Sequence, residues 1–357
     1  MVCAWYIPAR SIPGRVTMPP MRNPRPTSNE WRRRRLCQAM FAGMLVPTLT
    51  ACTQLVRLPL TVGSNAWVGY DPLALARDQH LFDSQRIKVV GLSSSSETLR
   101  YLRNGLLDAG ALTLDEALRL NDEGFDVRVV ALLEASTGAD LVMGDPSVRQ
   151  LADLRGRSVA VESTTVGALM LRRLLKAGGM TTADVQAVHL EATQHLDALR
   201  SARVIAAVSY EPIASVLREA GYVKLFDSAD MPGDIVDVLV VRNLVLKERP
   251  DDVAALVAGW NRGLQAFMQE PEEVARIMGP ASDLSPQDYL KVLGQLHFID
   301  PQESLRELSG SPPRLAQSSG PLSATLLEMG LIRQAPDWAG LVDTGPAMAA
   351  LAMGGQS

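Results

Sequence analysis

The sequence predicts an α/β protein, and three observations carry that reading. From residue 57 to residue 226, short β-branched runs alternate with amphipathic helical stretches in two successive series. Extended apolar segments near 139–145 and 234–242 separate and close the two series. Beyond residue 250 the pattern is mostly helical. Two lobes joined by two crossings would produce this order, and so would one large doubly wound sheet. A length of 357 residues suggests about two domains, and a hydrophobic fraction of 47% excludes long disorder. A formal net charge of −4 argues against nucleic-acid binding, which depends on clustered Lys and Arg. Three cysteines cannot build a disulfide framework.

Taken in order, Arg57–Val62 alternates as a strand does. Asp71-Pro72 then opens a helix through Asp78, with Asp as cap and Pro in the first turn. Ile87–Gly91 is a strand, and Ser94-x-x-Glu97 forms a capping box for a helix to Asn104. Ala109–Leu112 is a strand, Leu114–Glu123 a helix, Val127–Leu133 a strand and Ala139–Met143 a further strand. The second series holds strands Ser158–Val161, Val185–Leu190, Val204–Val208 and Val223–Phe226. Its helices are Val166–Ala177, His195–Ser201 and Pro212–Ala220. Asp234–Arg242 is apolar and β-branched enough for a buried strand, and helices follow at Asp251–Gln269, Glu272–Met278 and Ser285–Gly294. A Pro/Ser/Gly stretch, Ser309–Pro321, precedes a helical tail.

The first fifty residues differ in kind. Residues 1–35 are rich in Arg and Pro and end in Arg32-Arg33-Arg34-Arg35; an apolar run from Leu36 to Ala51 leads to Cys52. A basic segment, a short apolar core and a small residue before the cut are the layout of a secretory signal. Leu49-Thr50-Ala51-Cys52 resembles the lipobox of bacterial lipoproteins, which implies cleavage after residue 51 and lipidation of Cys52. Residues 1–51 are therefore expected to be a signal peptide, whose true start is Met18 or Met21, and 52–56 a linker. Acyl chains would hold the protein at a membrane, each buried methylene contributing about 0.8 kcal/mol. Thr53 after the lipid site resembles the outer-membrane sorting pattern of diderm bacteria; in a host with one membrane the protein would sit on its outer face. Removing residues 1–51 takes away eight Arg and one acid, leaving a net charge of −11.

Four stretches, in order, resemble the periplasmic substrate-binding proteins of ABC importers in the nitrate/sulfonate/taurine group, which includes binders of thiamine-precursor pyrimidines. The first runs from Val62-Gly63-Ser64-Asn65-Ala66-Trp67-Val68-Gly69-Tyr70-Asp71-Pro72 to Leu81-Phe82. The others are Gly105–Thr113, Leu151-Ala152-Asp153-Leu154-Arg155-Gly156-Arg157-Ser158-Val159-Ala160-Val161, and Tyr210-Glu211-Pro212. The resemblance implies a two-lobed flytrap, with the solute between lobes and an ABC permease and its ATPase as partners. On that reading 57–143 and 237–357 form lobe 1 and 144–236 lobe 2, with the crossings as hinges. Ser64-Asn65 before the Trp, Tyr210 in place of the more usual Trp, and Val204-Ile205 without an acidic residue depart from the group's pattern.

Ligands of open α/β sheets sit outside the carboxyl ends of strands. That rule selects Asn65, Trp67, Tyr70, Thr113, Asp140, Ser163, Thr164, Thr165, Tyr210 and Glu211. Trp67 and Tyr70 offer flat faces for a ring or alkyl chain, or else pack inside the lobe. Ser163-Thr164-Thr165 precedes a helix and could hold an anion, or merely cap. Thr113 with Glu116 also reads as a capping box. Asp140 and Glu211 oppose a simple anion but suit an amine or a pyrimidine's donors, unless one is a hinge turn and the other a helix-start charge.

No P-loop, G-x-G-x-x-G or G-x-S-x-G occurs, and the spacing of His80, His189, His195 and His297 does not suggest a metal site. The expectation is thus a monomeric, lipid-anchored solute-binding protein of ABC import. It has no cofactor, metal or catalytic residue, and its solute is sulfonate- or taurine-like or pyrimidine-like. The rivals are an enzyme of pyrimidine or thiamine-precursor metabolism on the same scaffold, and a ligand-presenting component of a signalling receptor.

Overall fold

The computed structural model describes residues 57–354, so the signal segment and Cys52 lie outside the described residues. Two sheets organise this part of the chain. The first is built from β1 (Leu60–Asn65), β2 (Ile87–Leu92), β3 (Ala109–Thr113), β4 (Val127–Ser136), β10 (Val236–Arg242) and β11 (Leu296–Phe298), in the order β11-β4-β10-β3-β1-β2. The second takes β5 (Asp140–Gly144), β6 (Ser158–Val161), β7 (Gln186–His189), β8 (Ala206–Tyr210) and β9 (Val223–Asp227), in the order β7-β6-β8-β5-β9. The fold is two-lobed α/β, and the single doubly wound sheet is set aside.

Each sheet receives one strand from the other lobe, and that strand runs antiparallel. β5 enters between β8 and β9, and β10 enters between β3 and β4. The strand Asp140–Gly144, which the expected boundary at 143 assigns to the first lobe, therefore belongs to the second sheet. The first crossing is Thr137–Ala139 and the second spans Ser228–Ile235. The two crossings are bonded together: Ser136 and Ser228 share a hydroxyl hydrogen bond of 2.8 Å, and the Gly138 N–H donates to Ser228 Oγ at 2.7 Å. Gly138 has φ of 135°, a conformation side chains rarely allow.

Burial on both faces explains the unbroken apolar runs of the central strands. Along β10, Val238 and Val240 face one core, while Leu239 and Val241 face another that contains Trp260 and Phe267. Val142 of β5 faces the first of these, and Leu141 and Met143 face a third core with Leu199 and Leu217. The first core is continuous across both lobes and takes in Leu322 and Leu326 of the helix Gly320–Glu328. Ion pairs from Arg172 to Glu328 and from Arg173 to Asp234 hold the second lobe's helix Thr165–Ala177 against that C-terminal segment and the second crossing.

Most elements fall where periodicity puts them, with instructive shifts. β1 runs three residues beyond its expected end because Ser64 and Asn65 pair with Gly91 and Leu92 of β2. β8 extends to Tyr210, which pairs with Asp140 across the β5–β8 ladder. β11, a strand of three residues on the edge of β4, carries no pattern long enough to predict. The Pro/Ser/Gly stretch contains a short helix, Arg314–Ser318.

Candidate functional site

Both sheets turn their parallel strands' carboxyl ends toward the same space, which is where the strand rule places ligands. On the first lobe's wall, Asp237 opens β10 opposite Thr113 on one side and Glu134 on the other. A chain of contacts fixes this wall. Trp67 Nε1 donates to Glu134 Oε1 at 2.8 Å. The Tyr70 hydroxyl is directed at Asp237, whose carboxyl also faces that of Glu134. Ser95 Oγ donates to Glu116 Oε1 at 2.8 Å, and the Thr113 N–H to Glu116 Oε2 at 3.3 Å, which forms one half of the expected capping box and leaves Thr113 Oγ1 without a partner. Gly69 permits the close turn: a Cβ there would collide with the Trp67 indole nitrogen and Glu134 Oε1.

The second lobe's wall consists of Asp140, Glu162, Thr164, Ser209 and Tyr210, with Val166, Gly167, Met170 and Val208. Glu162 Oε1 accepts from the Ala192 N–H at 3.0 Å, and the Asp140 N–H donates to Ser136 Oγ at 3.2 Å. Tyr210 meets Trp67 edge-to-face across the cleft, with centroids 5.9 Å apart and planes at 79°. Such a contact contributes about 0.5–1.5 kcal/mol beyond burial. Between the walls lies a cavity of about 40 Å³, room for about three waters.

The cavity's electrostatics are one-sided. Asp140 and Asp237, from opposite lobes, are 8% and 2% exposed. Burial pushes the Asp140 carboxyl up to about 7, with Glu134 and Glu116 adding repulsion. It pushes Glu162 up to about 8, and Asp237, Asp115, Glu116 and Glu134 are raised for the same reason. Asp237 and Glu134 face each other, so the pair favours holding one proton between two carboxyls. No Lys, Arg or His lines the cavity among the described residues.

A family model described as the NMT1-like family matches residues 57–278, more than half of the chain and both walls of the cleft. The chain belongs to the NMT1-like family. Proteins of Brucella abortus and Brucella suis that carry only a provisional description as binding proteins are 26% identical to it over 188 residues. The match covers 52% of this chain and 55% of theirs, so the chain spans about half the length of these curated relatives. The alkanesulfonate-binding protein of Xanthomonas axonopodis, solved with MOPS, superposes with a TM-score of 0.68 at 18% identity, covering 81% of this chain and 99% of that one. The nitrate-binding protein of Synechocystis gives 0.67 at 13%, covering 83% and 88%. A desulfurization enzyme gives 0.60 at 18%, covering 84% and 100%. At these identities the likeness shows a shared periplasmic-binding-protein fold.

Of the residues expected at the site of this NMT1-like protein, Asn65, Trp67, Tyr70, Thr113, Asp140, Thr164 and Tyr210 line the cavity. Ser163, Thr165 and Glu211 do not. Thr164 Oγ1 caps its helix by accepting from the Gly167 N–H at 3.1 Å, while Ser163 points to solvent and Thr165 packs inward. The three hydroxyls thus diverge instead of converging on an anion. Glu211 is buried on the far side of β8, where it accepts from Arg218 at 3.1 Å and from the Ser215 N–H at 2.9 Å. It is a helix-start charge, the structural alternative. Sequence reasoning missed Ser95, Glu162, Ser209 and Asp237. Asp237 carried a signal: it is one of two acids at the start of an otherwise apolar strand run.

Proposed function

We propose that this NMT1-like protein is a lipid-anchored, extracytoplasmic solute-binding protein that captures a small organic solute between its lobes and delivers it to an ABC permease. The observation that supports it most directly is a cavity lined from both sheets, with Trp67 and Tyr70 on one wall meeting Tyr210 on the other. Closing two lobes over a solute makes capture visible to a partner, provided the solute favours the closed state. The importer neighbours and the export signal with its lipobox support the same reading, which includes membrane attachment through Cys52. The wall chemistry favours a pyrimidine-like, donor-bearing solute over a sulfonate- or taurine-like one, because the cavity presents carboxyls and hydroxyls but no cation.

The same fold in a desulfurization enzyme keeps catalysis as the second reading, and raised carboxyls could act as acids or bases. A thermal-shift screen of the protein against sulfonates, pyrimidines, polyamines and amino acids decides between them. Binding with full recovery of unchanged solute supports capture. Turnover of the bound compound to product replaces that reading with the enzyme.

A further inference from the structure

Resting on the solute-binding reading above, we propose that the solute is an organic cation, gripped by Asp237 from one lobe and Asp140 from the other, and that its capture expels protons from the cleft.

Unpartnered acceptors carry this inference. Asp140 Oδ2, Ser209 Oγ, Thr113 Oγ1 and the Tyr210 hydroxyl are buried in the cavity walls without a hydrogen-bond partner, and Asp237 Oδ1 has no donor, its carboxyl facing that of Glu134, whose Oε2 is likewise unpartnered. Leaving a buried polar atom unsatisfied is unfavourable. Several buried carboxylates outside the cavity are paired with cations, although Asp115, which does not line it, has both oxygens unpartnered. Glu211 takes Arg218, Asp234 takes Arg173, and Asp252 takes both Arg86 and Arg249. Only a cation or a strong donor can complete the cleft acids, and no side chain in the lining supplies a cation. The aromatic rings of Trp67, Tyr70 and Tyr210 in the lining suit an organic cation, which is attracted to the ring's electron-rich face. Val166, Met170 and Val208 add apolar surface that a bare metal ion could not use.

The proton balance follows from the acids already there. Asp140 faces Glu134, Glu116, Asp115, Asp237 and the Tyr210 hydroxyl; Asp237 faces Glu134, Asp140 and the Tyr70 hydroxyl; Glu162 faces Glu191, Glu116 and the Tyr210 hydroxyl. The basic side chains that reach this cluster are Arg103 toward Glu116 and His297 toward Glu134. In the empty cleft, acids in such company hold protons near neutral pH. An entering cation converts a carboxylic acid to a carboxylate, and the proton leaves to solvent, so charge balances. Affinity therefore rises with pH through about 7 to 8 and levels off above that range.

The test uses small organic cations and anions of opposite charge, benzamidine and benzoate being matched in shape. Benzamidine, 4-aminopyridine and putrescine are compared with benzoate, benzenesulfonate and nitrate by thermal shift and calorimetry. The expected result is stabilisation by at least one cation and by none of the anions. Its affinity should fall at least tenfold from pH 8 to pH 6, and its binding heat should depend on the buffer's ionisation enthalpy. Asp237→Asn and Asp140→Asn should each weaken that cation at least tenfold while the empty protein melts no lower than before, which a purely structural role would not produce. Binding by anions alone, binding indifferent to pH, or Asn variants that bind as the parent does would each overturn the inference. So would silence across all six probes. The solute-binding reading is judged separately, and it falls only if unfractionated metabolite extract also produces no shift.

Discussion

The two walls of the cleft are built differently, although they face one another across about 40 Å³. On the first lobe, Trp67, Glu134, Asp237 and Tyr70 form one connected chain, and Ser95, Thr113 and Glu116 form another. On the second lobe, the same kinds of group are bonded outward. Glu162 turns to Ala192 and Thr164 to Gly167, and both walls keep unpartnered polar atoms: Thr113 Oγ1, Glu134 Oε2 and Asp237 Oδ1 on the first, Asp140 Oδ2, Ser209 Oγ and the Tyr210 hydroxyl on the second. A connected wall fixes geometry before the solute arrives, and an unconnected one is completed by it. The first lobe thus reads as the template and the second as the closing half.

The hardest blow to that contrast should come from Trp67→Ala. It removes the ring that meets Tyr210 and the donor that holds Glu134. Losing a buried Trp side chain costs about 3–5 kcal/mol of stability. Calorimetry on the folded variant should show affinity reduced tenfold or more. Tyr210→Phe, which keeps the ring on the unconnected wall, should lose only a few-fold. Equal losses would mean that neither wall is pre-organised.

Gly69→Ala comes next, and it attacks the template without touching the solute. A methyl group there displaces the Trp67 indole from Glu134. Overpacking of this kind costs about 1–3 kcal/mol. Chemical denaturation should register that loss, with several-fold weaker binding alongside it. Normal affinity would show that the Trp67–Glu134 bond does not organise the wall.

A smaller and graded effect is expected from pH. Asp140 rises to about 7 and Glu162 to about 8, so the folded protein holds protons that the unfolded chain has already released. The stability this contributes is complete below about pH 4, where both states are protonated, and is lost as pH rises through about 8. The empty protein should therefore melt several degrees higher at pH 5 than at pH 8. A saturating cation should narrow that gap by stabilising the ionised form. A melting curve that rises with pH would contradict the buried-acid description of both walls.

Both walls were legible in part: the sequence points to Asn65, Trp67, Tyr70 and Thr113 of the template and to Asp140, Thr164 and Tyr210 of the closing wall, but not to Ser95 and Asp237 of the one or Glu162 and Ser209 of the other. Trp67, Tyr70 and Thr113 stand where strand-end reasoning points, because parallel strands announce themselves by apolar runs and their ends by a cap or an aromatic turn. Asp237 escaped that reasoning because it opens an antiparallel strand, so the site lies at its amino end. Glu162 and Ser209 look like ordinary polar residues beside a turn, and only the pairing of β6, β7 and β8 aims them inward. Ser163 and Thr165 misled for the opposite reason: adjacent hydroxyls suggest convergence, but successive residues at a helix start point in different directions.

Glu211 supplies the smallest effect and the sharpest control. Like Asp140 it was expected to touch the solute, and like Asp140 it is almost fully buried beside β8. The difference lies in its partners, Arg218 and the Ser215 N–H, which satisfy its oxygens on the face of β8 away from the cavity. Its ion pair reaches a half-exposed Arg218, so solvent screening limits what the pair contributes. Glu211→Gln keeps an acceptor for the Ser215 N–H and removes only the charge. It should lower stability by about 1 kcal/mol or less and leave solute affinity within two-fold of the parent. Asp140→Asn, made in parallel, should do the reverse, holding stability and losing affinity. If both substitutions weakened binding alike, the separation between the acids that serve the fold and the acids that serve the solute would collapse.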